Sequence, residues 1–377
     1  VKKPKFEFYF KPQINYGEVD FQIHQISKKL KILSKLTPKN LESEIKKFKE
    51  NTNYNPQFEY EDFSDFLFEN IKKLRNIKVE GDVLGQIFFK KIKYLEKNLK
   101  MIACIGTEQY SEASLDIYRA PTIKELELAE KHKKNSKQYD QSTNLSANEA
   151  KKIFLKFAES SKLKNIEVQI KNDMISDVSV NKKGTIFLNK NAKFNEQRIE
   201  KLIAHEIETH IYTAINGKDQ PYQIFQDGLA NYLYTQEGLA VYNQEKQLGF
   251  KEPCHGANTL INNNLVYQNS FANGYKALKK QGLSDNEALK ACLKTKRGLN
   301  DTSQKGGSFK PSVYFIGVQM ITKFLNEKGD YNDLYIGKIN IEDIKLIKQV
   351  KSLNPAKLLP RCYQKIQRIN KEASPNE

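Results

Sequence analysis

Residues 201–210 read KLIAHEIETH: two histidines five apart, with a glutamate directly after the first. Catalytic zinc commonly takes three protein ligands and leaves one position for water, and two His plus one Glu is an established set. The familiar helical motif spaces its histidines by four, which puts both on one face. His205 and His210 are spaced by five. On a regular helix, at 3.6 residues per turn, they point about 140° apart and cannot share a metal. One inserted residue, a π-bulge between Glu206 and His210, removes most of that offset, and such bulges occur often at functional sites. The spacing therefore demands a local distortion; without one these are two ordinary surface histidines. The chain has only five histidines, and this motif takes two of them beside a glutamate.

Working outward, a helix is predicted from about Asp227 to Leu248, stopped by Gly249, and it carries Gln236-Glu237-Gly238-Leu239-Ala240. Glu237 is placed where a two-His, one-Glu site would draw its third ligand, and Gly238 would let the two helices approach closely. Upstream, Ser146-Ala147-Asn148-Glu149 is a capping box that opens a helix to about Ser160. Three β-type segments follow: Ile166–Ile170, Met174–Val180 and Thr185–Asn189. Asn181-Lys182-Lys183-Gly184 forms the turn between the last two. Apolar Ile199, Leu202, Ile203, Ile207 and Ile211 then mark the buried face of the histidine helix. Helix, three strands, helix, helix suits a small sheet packed on the helices that carry the chemistry, an α+β fold that is predominantly helical.

The N-terminal third reads as helical. Residues 21–36 have helical spacing, Thr37-Pro38 opens the next helix, and residues 83–105 form a long amphipathic helix capped by Gly106. A short helix fits residues 123–133. Residues 134–145 are polar and aperiodic, a linker. Two units are expected: residues 1–135, mainly helical and packed on the rest, and residues 146–377, the catalytic part. Lys305-Gly306-Gly307 breaks the helical C-terminal third, and the tail after Gln367 is polar and expected to fray.

The net charge of +17 favours an acidic partner, yet the lysines are scattered. No basic stretch is interleaved with aromatics as a nucleic-acid groove would be. No run approaches the roughly 18 apolar residues of a membrane helix. Cys104, Cys254, Cys292 and Cys362 are too widely spread for a disulfide framework or a zinc knuckle, which fits a reducing cytoplasm. His255, beside Cys254, carries no motif and reads as structural. No secretory signal is visible, and the start at Val1 leaves room for a removed segment.

KLIAHEIETHIY, NGKDQP at 216–221 and GLANYLYTQEGLAVY together resemble the peptidase family named for its QEGLA motif, which includes the microtubule-associated tyrosine carboxypeptidases. Ile105–Tyr118 and Leu334–Ile344 look like further blocks of that family, so the resemblance spans roughly residues 83–360. Arg119 departs from it, where a glycine would be expected. The resemblance implies a zincin-like fold, one Zn2+ on His205, His210 and Glu237, and Glu206 as the catalytic base. An oxyanion needs a further donor besides the metal, for which Tyr242 and Tyr314 are candidates. A free carboxylate needs a cation, for which Arg297 and Lys310 are candidates, Arg being suited by its planar fork. The strand 185–189 is a candidate to pair with an extended peptide. The expected activity is a carboxypeptidase removing a C-terminal Tyr or Glu-like residue from an exposed tail, for which the basic surface suits acidic chains. The alternatives are a zinc endopeptidase, or a regulatory or binding protein that retains the metal site.

Overall fold

The computed structural model describes residues 14–363 and 367, apart from 136–143, 165, 173, 175–176, 182–183 and 250–255. Most of the expected linker, the middle of the 181–184 turn, Cys254, His255 and the tail after Gln367 lie outside the described residues. Among the described residues the chain is predominantly helical with one three-stranded mixed sheet. Its strands are β1 (Val168–Lys171), β2 (Val178–Val180) and β3 (Ile186–Asn189), in the order β1-β3-β2. β1 runs parallel to β3 with Val168 opposite Ile186, and β2 antiparallel with Val178 opposite Leu188. The β2–β3 turn closes as its sequence suggested, with the Asn181 side chain accepting the Thr185 amide at 3.0 Å and Gly184 at φ 87. The pairing of substrate with β3 is corrected: β3 is the central strand, and both of its edges are already bonded within the sheet.

Ile186 and Leu188 point to one face, as alternate strand residues must. With Val168 and Val178 they share a core with Ala150 and Phe154 of the helix Ala147–Ser160. The Ser146–Glu149 capping box opens that helix as expected. The same core takes in Ile199, Ile203, Ile207 and Ile211, and also Ile23, Phe88, Leu95 and Leu99 from the N-terminal helices Tyr16–Leu30 and Val83–Ala103. Each such side chain contributes about 2 kcal/mol when fully buried. The helix expected over 21–36 instead begins at Tyr16, where Asn15 caps the amides of Gly17 and Glu18, and it breaks at Lys31, φ 36. Thr37 does not open the next helix. Its hydroxyl bonds back to the Leu33 carbonyl at 3.2 Å, and the helix starts at Leu41.

Polar ties join the first helix to the approach of the Glu237 helix. Asp20 accepts the amides of Gln223 and Ile224 at 2.6 and 3.0 Å, and His24 meets Asp227 at 2.7 Å. The Glu237 helix itself runs Tyr232–Gln247 rather than from 227, because Gly228 (φ 103) and Asn231 (φ 54) hold backbone conformations that no helix continues through. A C-terminal strap then crosses the molecule. Buried Asn216 donates to the carbonyls of Tyr335 and Leu358, both at 2.9 Å, and accepts the Leu358 amide at 3.0 Å. Gln220 binds the Asn354 amide and carbonyl in the same manner. The NGKDQP block therefore serves to lash the strap down. Among the described residues, no helix is long and apolar enough to cross a membrane.

Gly238 permits a close helix approach, but with a different partner from the one expected. A Cβ there would lie 2.2 Å from the carbonyl carbon of Gly317, on the helix Val313–Asn326. A Cβ on Gly317 would in turn meet the Tyr234 carbonyl oxygen at 2.1 Å. Alanine in a helix gains about 1 kcal/mol over glycine, whereas overpacking costs about 1–3 kcal/mol or more. The obstacle here is backbone on both sides, so the clash outweighs the propensity. Gly238→Ala is expected to lose about 2 kcal/mol in urea unfolding; an unchanged or higher midpoint would show that the helices separate freely.

Candidate metal centre

The histidine helix is α-helical over Glu196–Leu202, π-helical over Ile203–Ile211 and α-helical again over Tyr212–Lys218. The distortion that the spacing demanded is present, and it extends over nine residues rather than one inserted position. Winding with i→i−5 bonds, such as Tyr212 N–H to Ile207 O, brings residues five apart onto nearly one side. The rings of His205 and His210 accordingly meet with centroids 4.9 Å apart and planes 88° apart.

Glu237 comes from the facing helix. Its Oε2 lies 3.6 Å from Nε2 of His205 and 3.6 Å from Nε2 of His210. The three donor atoms fall within 4.8 Å of one another, and Glu237 Oε2 has no hydrogen-bond partner although it is buried. Zinc–nitrogen bonds of 2.0–2.1 Å place the donors of a tetrahedral shell about 3.4 Å apart, which the two 3.6 Å separations to Glu237 match, the third lying within 4.8 Å. The side chains keep 13, 17 and 15% exposure, which leaves the centre open on one side. Burial lowers His210, keeping its imidazole neutral, while the two imidazoles beside Glu237 overcome its burial and keep it ionised. A neutral His210 and an ionised Glu237 are the states a metal requires, whereas His205 is raised, burial being outweighed by the Glu237 and Glu206 carboxylates, so a metal would have to displace its proton.

The ring nitrogens facing away from the centre are also engaged. Nδ1 of His205 lies 3.2 Å from Gln244 Oε1, and Nδ1 of His210 lies 3.1 Å from the Gln236 amide. Gln244 Oε1 can accept the His205 Nδ1 proton and so fix the tautomer that frees Nε2 for a metal, whereas Gln236 presents its amide nitrogen, a donor, to His210 Nδ1 and orients that ring. Neither glutamine was expected from the sequence. The signal was present: Gln236 and Glu237, and Asn243 and Gln244 seven residues on, form polar pairs on one side of an otherwise buried helix.

Glu206 is buried beside His205, and burial, with the Glu237 charge adding to it and His205 opposing, raises its carboxyl to about 7. Tyr314, near the start of its helix, stacks on His205 with centroids 6.4 Å apart. The Glu237 charge first, then burial, push its phenol well above the ordinary value, so it stays protonated as a donor. Lys310 feels the charges of both Arg297 and the Glu237 carboxylate. Burial first, then Arg297, depress its ammonium to about 8, while Glu237 acts the other way. The structure thus brings Tyr314 onto His205, with Lys310 within electrostatic reach of Glu237 and Arg297 within electrostatic reach of Lys310 and Tyr314.

Tyr242 is not brought there, and that expectation is corrected. Five residues beyond Glu237 on a regular helix, it points about 140° away. Its ring packs in the main core 6.5 Å from that of Tyr331, under the Lys246 ammonium. The loop carrying Arg297 is itself propped. The Tyr60 hydroxyl accepts the Gly298 amide at 2.6 Å, and Gly106 N–H donates to the Gly298 carbonyl at 2.8 Å. Ser111 Oγ accepts the Gly307 amide, and the Ser114 hydroxyl donates to Ser308 Oγ. The block Ile105–Tyr118 therefore acts as a buttress for the 297–310 loop.

Residues 45–374 match the family model described as microtubule-associated tyrosine carboxypeptidase. A Mus musculus protein named "Putative tyrosine carboxypeptidase MATCAP2" is 28% identical over 338 residues, covering 86% of this chain and 57% of that protein. The Mus musculus "Microtubule-associated tyrosine carboxypeptidase 1" is 26% identical over 192 residues, covering 48% of this chain and 40% of that protein. The chain thus spans about half the length of the relatives it matches, 57% of the first and 40% of the second.

Proposed function

This chain belongs to the microtubule-associated tyrosine carboxypeptidase family, and on that premise we propose that it is a zinc-dependent carboxypeptidase of zincin-like fold. The observation that carries the metal half is the meeting of His205, His210 and Glu237 donor atoms within 4.8 Å. The carboxypeptidase half is supported by the relatives' names and by Lys310, within electrostatic reach of Glu237, with Arg297 in turn within reach of Lys310. The packing of β2 against the π segment supports the zincin-like reading.

Zinc, when bound, supplies a water whose pKa falls from 15.7 to about 7 and polarises the scissile carbonyl. Glu206 takes the water's proton and delivers it to the leaving amine, a role suited to a carboxyl poised near neutral pH. The protonated Tyr314 phenol donates to the developing oxyanion. Arg297, with Lys310 beside it, holds the free carboxylate one residue beyond the scissile carbonyl. The residue removed is taken to be tyrosine, following the relatives' names. The net charge of +17 supports an acidic tail as the carrier of that residue, with attraction that weakens as salt rises.

Arg297→Ala tests the exopeptidase half. A charge-assisted hydrogen bond is worth about 1.5–3 kcal/mol. The variant should therefore raise KM for free-acid peptides roughly 10–100-fold and lose their preference over amidated ones. Wild-type cleavage of free and amidated peptides at equal rates would replace the carboxypeptidase by an endopeptidase on the same zinc site.

A further inference from the structure

A helix that passes from π to α winding skips one backbone carbonyl, and in a buried helix that carbonyl needs another donor. The Tyr212 N–H goes to the Ile207 carbonyl, so the next acceptor along is that of Glu208. It receives the Tyr335 hydroxyl at 2.9 Å. The Thr209 hydroxyl bonds the Ala204 carbonyl at 2.8 Å, spanning the π turn from within. Both hydroxyls are held by a single amide: Asn243 Nδ2 donates to Tyr335 Oη at 2.6 Å and to Thr209 Oγ1 at 2.7 Å. The Tyr331 hydroxyl satisfies Asn243 Oδ1 from behind. Thr209, Asn243 and Tyr335 are fully buried, so none of these bonds exchanges with water. Asn243 lies on the same helix as Glu237, Gln236 and Gln244.

We propose that Asn243, Tyr335 and Thr209 are positioning residues: their buried hydrogen-bond network holds Ile203–Ile211 in its π winding and thereby holds His210 over the same ion as His205. None of the three touches the ion. An unfilled Glu208 carbonyl would favour a return to α winding, which turns the two imidazoles about 140° apart. The inference rests on the zinc reading and adds to it the device that makes five-residue spacing workable.

The test measures zinc affinity of the full chain by competition with a chromogenic chelator. Hydrogen exchange of the amides of residues 207–213 in the metal-free protein is read alongside. Tyr335→Phe and the isosteric Thr209→Val should each lower zinc affinity about 10–100-fold, the effect typical of losing a partner outside the ligand shell. Both should speed exchange across the π segment, while Thr209→Ser, which keeps the hydroxyl, restores both readouts. A network that only supported the fold would lower the melting temperature and leave the affinity of the folded protein alone. Zinc binding by the wild type with unchanged affinity in Tyr335→Phe and Thr209→Val would overturn the inference and leave the metal reading intact. No zinc on the wild type would sink both.

Discussion

Glu206→Gln is expected to keep the fold and a full zinc complement while losing about 100- to 10,000-fold in kcat/KM, the usual worth of a positioned general base. The substitution is nearly isosteric, and Glu206 is outside the three-donor cluster, so neither packing nor the ligand shell changes. What disappears is a carboxylate that can accept a proton. Its neighbours bear on the result: the Glu237 charge and burial both favour the protonated form of Glu206, so its basicity is already higher than that of a solvated glutamate. Turnover of a free-acid peptide, measured beside metal content, separates the roles. Near-normal turnover in the variant would assign the base elsewhere.

Glu237→Ala should act in the opposite manner, removing most of the zinc and with it the activity. Two imidazoles remain, which is one ligand short of the three that catalytic zinc sites commonly use. A ligand that binds only the folded state, at 1,000 times its dissociation constant, adds about 4 kcal/mol of stability. The wild type should therefore gain that increment on zinc addition and the variant should not. In chelator the difference between the two proteins should be smaller than that increment, since Oε2 has no hydrogen-bond partner to lose and what the alanine forfeits is the field of the imidazoles and Lys310 that holds Glu237 ionised. Full zinc retention by Glu237→Ala would refute the ligand set. A large stability loss in chelator would instead make Glu237 a structural residue.

The distortion of the histidine helix was legible in the residues because its spacing is local. The five-residue step from His205 to His210 forces an abnormal helix if both are to reach one ion, and Ile203–Ile211 is π-wound. The capping box at Ser146, the Asn181–Gly184 turn and the isoleucines of the histidine helix were readable for the same reason: each depends on neighbours within a few positions. What failed depended on partners distant in the chain. No local pattern says that β3 lies between two strands, because strand order is set by which faces bury together. Gly238 announced a close approach, but only packing chose Gly317 as its partner. Tyr242 and Tyr314 were equal candidates by residue type. Helix phase sends the first into the core beside Tyr331 and tertiary packing brings the second onto His205. The same limit hid Tyr335, 127 positions from the Glu208 carbonyl it satisfies: a backbone group freed by local winding is repaired by whatever donor the fold brings to it.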